Sequence, residues 1–159
     1  MKPDLRAVGE EERRWMESRK ERLFGGDIVV SRGRIHRPQE LTGFVAVTGD
    51  EIVGLATFHV RDAQCELVTL EALLQWRGIG TALLVAVEES ARRAGCTRLW
   101  LITTNDNVAA MRFYQRRGFA FAAVHRNAIA ESRRLKPSIP AVGHHSIPIT
   151  DEIEMEKAL

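Results

Sequence analysis

The chain has 159 residues, 45% apolar and 28% charged, and its 23 basic and 21 acidic side chains leave a formal charge of +2. Such a chain can bury a sizeable core without metals or disulfides, and its composition excludes a disordered polymer. The charge balance gives no electrostatic footprint for nucleic acid, the two cysteines make no disulfide framework, and no run approaches the ~18 apolar residues of a membrane span. The charged N-terminus carries no apolar signal-peptide core, so the expectation is a cytoplasmic protein that binds neither membrane nor nucleic acid.

In chain order, residues 1–26 are expected to hold a charged surface helix, from about Arg6 to Leu23, ended by Gly25-Gly26. Residues 27–37 mix strand and loop signals. Phe44–Val47 and Ile52–Val60, separated by Gly49-Asp50-Glu51, predict a hairpin, and Cys65–Leu73 predicts a third, buried strand. Then the period changes. Ile79, Leu83, Val87, Ala91 and Ala94 recur at helical spacing, with Glu88, Glu89, Arg92 and Arg93 expected on the wet side and Gly95 as the C-terminal cap. Leu99–Thr103 predicts a strand. Asn105-Asp106-Asn107 offers N-caps for a short helix from Asn107 to Arg117, closed by Gly118, and Phe119–Val124 follows as a strand. Residues 128–148, with Pro137, Pro140 and Pro148, read as a long loop. Alternation of Glu152, Glu154 and Glu156 with Ile153 and Met155 predicts a half-buried final strand. The sum is an α/β (α+β) arrangement, a mixed sheet flanked by helices in a single domain over residues 1–159.

Gln75-Trp76-Arg77-Gly78-Ile79-Gly80 lies between the third strand and the long helix. A helix N-terminus presents unpaired N–H groups and partial positive charge, and glycine there lets a diphosphate approach the backbone. A tight strand-to-helix turn explains the glycines equally well. The segment lacks the Lys-Ser/Thr of a nucleotide-hydrolysing loop, and the third glycine and ribose-binding acid of a dinucleotide fold.

Two spacings sharpen this. Gln75, Gly78 and Gly80 match Gln/Arg-x-x-Gly-x-Gly/Ala; Asn107, Ala110, Tyr114, Gly118 and Phe119 match Asn-x-x-Ala-x-x-x-Tyr-x-x-x-Gly-Phe. In this pair, over Phe44 to about Arg126, the chain resembles the GNAT superfamily of N-acetyltransferases. The first forty residues match the family's usual start poorly. The resemblance implies a mixed, mostly antiparallel sheet flanked by helices, with acetyl-CoA as co-substrate. It also implies an acetyl group moved to a primary amine by direct attack through a tetrahedral intermediate. Main-chain groups of Leu70, Glu71 and Ala72 are then expected to pair with the pantetheine arm. The amides of Gln75, Trp76, Arg77, Gly78, Ile79, Gly80 and Thr81 are expected to hold the pyrophosphate. Asn107 is expected at the pantetheine or the adjacent backbone, and Tyr114 near the thioester sulfur. Ala72 departs from the proline of many relatives.

Amide formation needs a neutral amine, a stabilised oxyanion and a protonated leaving thiolate. The resemblance places the oxyanion at a backbone amide near Leu70, where such strands bulge. Tyr114, the only tyrosine, is either the acid for the thiolate or a core ring whose hydroxyl bonds a carbonyl. Glu71 is a candidate base, an ion-pair partner or a substrate-binding carboxylate. Strand alternation sets it opposite Glu66, Val68 and Leu70 unless a bulge resets the phase.

Among other residues, the adjacent His144 and His145 have no Cys/His cluster to make a metal site, and His125 reads as a surface histidine rather than a base. Arg126, Arg133, Arg134 and Lys136 are a solvated face, or a contact for the coenzyme's 3′-phosphate or for an acidic acceptor. Asp151, Glu152 and Glu154 are the wet face of a strand in preference to an amine-attracting patch. Cys65 and Cys96 are packing residues. The acceptor is expected to be a small-molecule amine, with a protein or peptide amine, or a non-catalytic acyl-CoA sensor, as alternatives. Open sheet edges are compatible with a homodimer.

Overall fold

The computed structural model describes residues 2–74 and 78–159. A seven-stranded sheet runs in the order β1-β4-β5-β6-β7-β9-β8. Its strands are β1 (Asp4–Ala7), β4 (Thr42–Thr48), β5 (Glu51–Arg61), β6 (Gln64–Ala72), β7 (Arg98–Thr104), β8 (Ala120–His125) and β9 (Glu152–Ala158). All neighbours are antiparallel except β6 and β7. A separate hairpin joins β2 (Val29–Ser31) to β3 (Arg34–His36). The helices are α1 (Glu10–Ser18), α2 (Lys20–Phe24), α3 (Ile79–Arg93), α4 (Val108–Gln115) and α5 (Ala128–Leu135).

The apolar periodicity of α3 positions the larger core. Ile79, Leu83, Val87 and Ala91 form one buried stripe against Ala56 and Phe58 of β5, Leu67 of β6, Leu99 of β7 and Met155 of β9. On the other sheet face Met16 and Phe24 pack on Val45, Val47 and Leu55. Gly95 (φ 80°) follows α3 as the expected cap, and the Cys96 amide donates to the Ala91 carbonyl at 2.9 Å. Glu88 departs from the expected wet face: it is buried and accepts from Lys157 Nζ on β9 at 2.9 Å.

Three expectations are corrected. Residues 1–26 begin with a strand, not a helix. Gly9 separates β1 from α1, and the Glu12 carboxylate reaches back to the Gly9 amide at 2.8 Å, an N-terminal helix lock. The helical stretch is also broken in two at Arg19, whose amide bonds Met16 O. Finally, residues 128–148 open with α5, which buries Ile129 and Ser132; the prolines all lie beyond its end. The hairpin, the strand–helix–strand succession and the final strand follow the sequence pattern.

Candidate active site

The parallel pair β6·β7 opens a cleft. The two strands are in register only from Gln64 to Glu66, opposite Arg98 to Trp100. Beyond that β7 turns to β9 alone, while β6 keeps only β5 as a partner. The edge of β6 facing β7 from Leu67 to Ala72 therefore offers main-chain donors and acceptors to the cleft. Val68 is skipped in the β6 ladder, because Thr57 faces Thr69 and Phe58 faces Leu67. This bulge resets the alternation. Glu71, opposite Leu55, falls on the same sheet face as Glu66, opposite His59, instead of the reverse face.

A cavity of about 440 Å³ fills the cleft. Leu67–Glu71 of β6, Leu101–Thr104 of β7, Asn107 before α4, and Ala110 and Tyr114 of α4 line it. Leu23 and Phe24 of α2, Val29 and Val30 of β2 and Ile129 of α5 line it as well. A neighbouring cavity of about 540 Å³ is lined by Ala72, Gly78, Ile79, Gly80 and Thr81, by Ala109, Arg112 and Phe113 of α4, and by Arg116 and Arg117 just after it.

The start of α3 lines this second cavity. The first bond of its ladder runs from the Ala82 amide to Gly78 O at 3.0 Å, so the amides of Ile79, Gly80 and Thr81 have no partner within the helix. Gly78 has φ 68°, a left-handed conformation that glycine adopts without strain. Gly80 has a different reason: a Cβ there would lie 3.2 Å from Phe113. Its lack of a side chain lets α3 and α4 meet. Arg117 clamps the two helices, donating from Nε and Nη2 to Thr81 Oγ1 at 2.9 and 2.7 Å and from Nη1 to Phe113 O at 2.8 Å. Arg112 and Arg116 line the cavity, whereas α5's Arg133 and Lys136 do not. Arg133 holds the carbonyls of Ile139, Pro140 and Ile149, and Lys136 Nζ holds Phe24 O. Of the basic cluster Arg126, Arg133, Arg134 and Lys136, none lines this cavity. Gln75, Trp76 and Arg77 lie outside the described residues.

Asn107 caps α4, its side-chain oxygen accepting from the Ala110 amide at 3.2 Å. Asn105 and Asp106 instead pin the segment before β9: Asn105 Oδ1 accepts from the amides of Thr150 and Asp151, and Asp106 from that of His144. Tyr114 packs its ring edge-on to Phe113 and Phe119, at 5.2 and 5.3 Å between centroids. Among the described residues its hydroxyl makes no hydrogen bond, and Tyr114 lines the cavity. Burial first, and the nearby Glu71 carboxylate second, push the phenol above its usual range, with Arg117 pulling the other way; it stays protonated. Burial raises the Glu71 carboxyl to about 7. No described arginine or lysine pairs with it, which removes the ion-pair alternative among these residues.

Glu152 is the site residue that the sequence placed wrongly. It is 1% exposed and lines the cavity, and both carboxylate oxygens are held by Arg32: Nη1 to Oε1 at 2.9 Å and the backbone amide to Oε2 at 3.2 Å. The period-2 pattern of β9 put Glu152 on a wet face, but the β2–β3 hairpin covers that end of the strand. Glu66, also buried, accepts from Ser31 Oγ at 2.6 Å and bonds His36 Nε2 at 3.1 Å, so the hairpin is tied to β6 as well. His125 bonds Glu154 at 2.9 Å, and Arg98 joins Glu154 to Glu156; none of these lines the cavity. Among the described residues no cluster of His, Cys, Asp and Glu suits a metal ion, and no helix is long and apolar enough to cross a membrane.

Comparison with known proteins bears on this arrangement. YdhI of Bacillus subtilis (strain 168) is 48% identical over 134 residues, 84% of this chain and 83% of its own. An IAA acetyltransferase from Bacillus cereus superposes with a TM-score of 0.77 at 20% identity, over 98% of this chain and 99% of its own. A GNAT acetyltransferase from Elizabethkingia anophelis, solved with acetyl-CoA bound, superposes with a TM-score of 0.67 at 22% identity, over 75% and 76% of the two chains. The model of the acetyltransferase (GNAT) family matches residues 6–119, and the chain belongs to that family.

Proposed function

We propose that the protein transfers the acetyl group of acetyl-CoA to a primary amine of a small molecule. The observation that carries this reading is the pairing of Glu71 and Tyr114 on one cavity where β6 and β7 part. The residues present fit the coenzyme. The unpaired edge of β6 suits the amides of the pantetheine arm, the start of α3 suits the diphosphate, and Arg112 and Arg116 suit further phosphate. Acetyl-CoA supplies the activated acyl group.

Each remaining requirement has a residue of this chain. The Glu71 carboxyl, raised to about 7, takes the proton of the entering ammonium near neutral pH. Backbone amides beside the Val68 bulge, at Leu70, face developing negative charge on the carbonyl oxygen. The Tyr114 hydroxyl, kept protonated by its surroundings, donates to the departing sulfur. Elements α2, β2 and α5 cover the acceptor end of the cavity, which favours a compact acceptor over a protein segment lying in an open groove.

The test is incubation with acetyl-CoA and a panel of amines, amino acids and short peptides, read by mass spectrometry. An enzyme-dependent N-acetyl product of a small amine supports the reading. Acetyl-CoA binding with no product from any acceptor overturns it and favours a coenzyme sensor.

A further inference from the structure

Resting on the transferase reading, the charge inventory of the cavity narrows its acceptor. Among the described lining residues there are two carboxylates, Glu71 and Glu152, and no lysine, arginine or histidine. The charge of Glu152 is neutralised by its ion pair with Arg32, so Glu71 is the one lining carboxylate without a cationic partner among the described residues. Three nearby basic groups are committed elsewhere: Arg32 to Glu152, Lys136 Nζ to Phe24 O, and Arg133 to the carbonyls of the segment after α5. Leu23, Phe24, Val29, Val30, Ile129 and Ile139 contribute hydrocarbon to the cavity wall, beside the neutral polar residues Thr103, Thr104 and Ser132.

These features select against two common kinds of amine. A free amino acid brings a carboxylate into a space with no cation to meet it and one glutamate to repel it. A polyamine or aminoglycoside brings further ammonium groups that find no second uncommitted carboxylate among the described lining residues. An amine with one positive charge and an apolar body leaves no charge unpaired: its ammonium meets Glu71 and its body displaces water from the aliphatic walls. We infer that the acceptor is a monoamine without a carboxylate, carrying a compact aryl or branched-alkyl body.

The test uses the intact wild-type protein with matched pairs: phenethylamine against phenylalanine and isoamylamine against leucine, with spermidine and kanamycin alongside. Coenzyme A release and the acetylated product are both followed. The expected result is a kcat/KM at least 100-fold higher for each monoamine than for its amino acid, and likewise above spermidine and kanamycin. Val30→Lys places a cation on the cavity wall, at a position outside the main core, and is expected to narrow the phenethylamine-to-phenylalanine ratio at least tenfold. Ile139→Lys serves the same purpose if Val30→Lys does not fold. A preference for an amino acid, spermidine or kanamycin overturns this inference while leaving the transferase reading intact. So does an unchanged ratio in a folded lysine variant. Acetyl-CoA binding with no amine acetylated at all overturns the transferase reading itself.

Discussion

Glu71→Gln exposes the cost of keeping a carboxyl in the cavity. Burial raises this group from 4.5 to about 7, and no described basic group offsets it. Between those two values the folded protein holds the proton and the unfolded chain does not. Stability therefore falls as pH rises from about 5 to about 7, and the loss is complete above that range. At about 1.36 kcal/mol per pH unit the ionised carboxylate costs at most ~3 kcal/mol, and water reaching it through the cavity reduces this to about 2 kcal/mol. Glutamine keeps the shape without the charge. The stability of Glu71→Gln relative to wild type is expected to improve by about 2 kcal/mol between pH 5 and pH 8, roughly 4–8 °C in Tm for a chain of this size. Thermal melts of both proteins at the two pH values measure it, and using the change in the gap removes any constant effect of the amide. The same group gives wild-type kcat/KM an acid limb, activity falling as pH drops through about 7, while Glu71→Gln loses turnover. A stability gap that does not change with pH, or wild-type activity that stays flat from pH 8 to pH 5.5, refutes the assignment.

Two further variants probe the supporting structure. Arg32→Ala leaves Glu152 buried without its partner and is expected to cost about 1–3 kcal/mol in urea melts, part of which Glu152→Gln in the same chain restores. Gly78→Ala forces a side chain into a left-handed backbone at the start of α3; it is expected to cost about 1–2 kcal/mol and to raise the KM for acetyl-CoA several-fold, with Gly78→Asn milder on both measures.

The sequence carried the middle of the molecule well because packing there follows simple periods. The stripe Ile79–Leu83–Val87–Ala91 has one face to bury, and Asn107 and Gly118 bracket α4 by chemistry that any helix end needs. Elsewhere the deciding partner is distant in the chain. β1 is only four residues long, Asp4-Leu5-Arg6-Ala7, and all four are exposed, so no buried face marks it; its backbone pairing with β4 makes it a strand. Val68 becomes a bulge through register with β5, and that alone moves Glu71 to the face of Glu66. Glu152 looks wet by alternation and is dry because Arg32, 120 residues earlier, covers it. The proline-rich run after α5 hid an eight-residue helix whose own sequence contains no proline. Tyr114 and Glu71 were visible as candidates, but their shared cavity depends on β6 and β7 parting after Glu66, which no local pattern encodes.

The central claim is that the β6–β7 cleft performs acetyl transfer with Tyr114 as the proton donor. Single-turnover transfer from pre-bound acetyl-CoA in wild type and Tyr114→Phe, with coenzyme affinity measured by calorimetry on the same samples, tests it directly. The account predicts acetyl-CoA affinity within about threefold of wild type and a transfer step slowed by about 10²–10⁴-fold. An unchanged transfer rate in the folded, coenzyme-binding variant would contradict it.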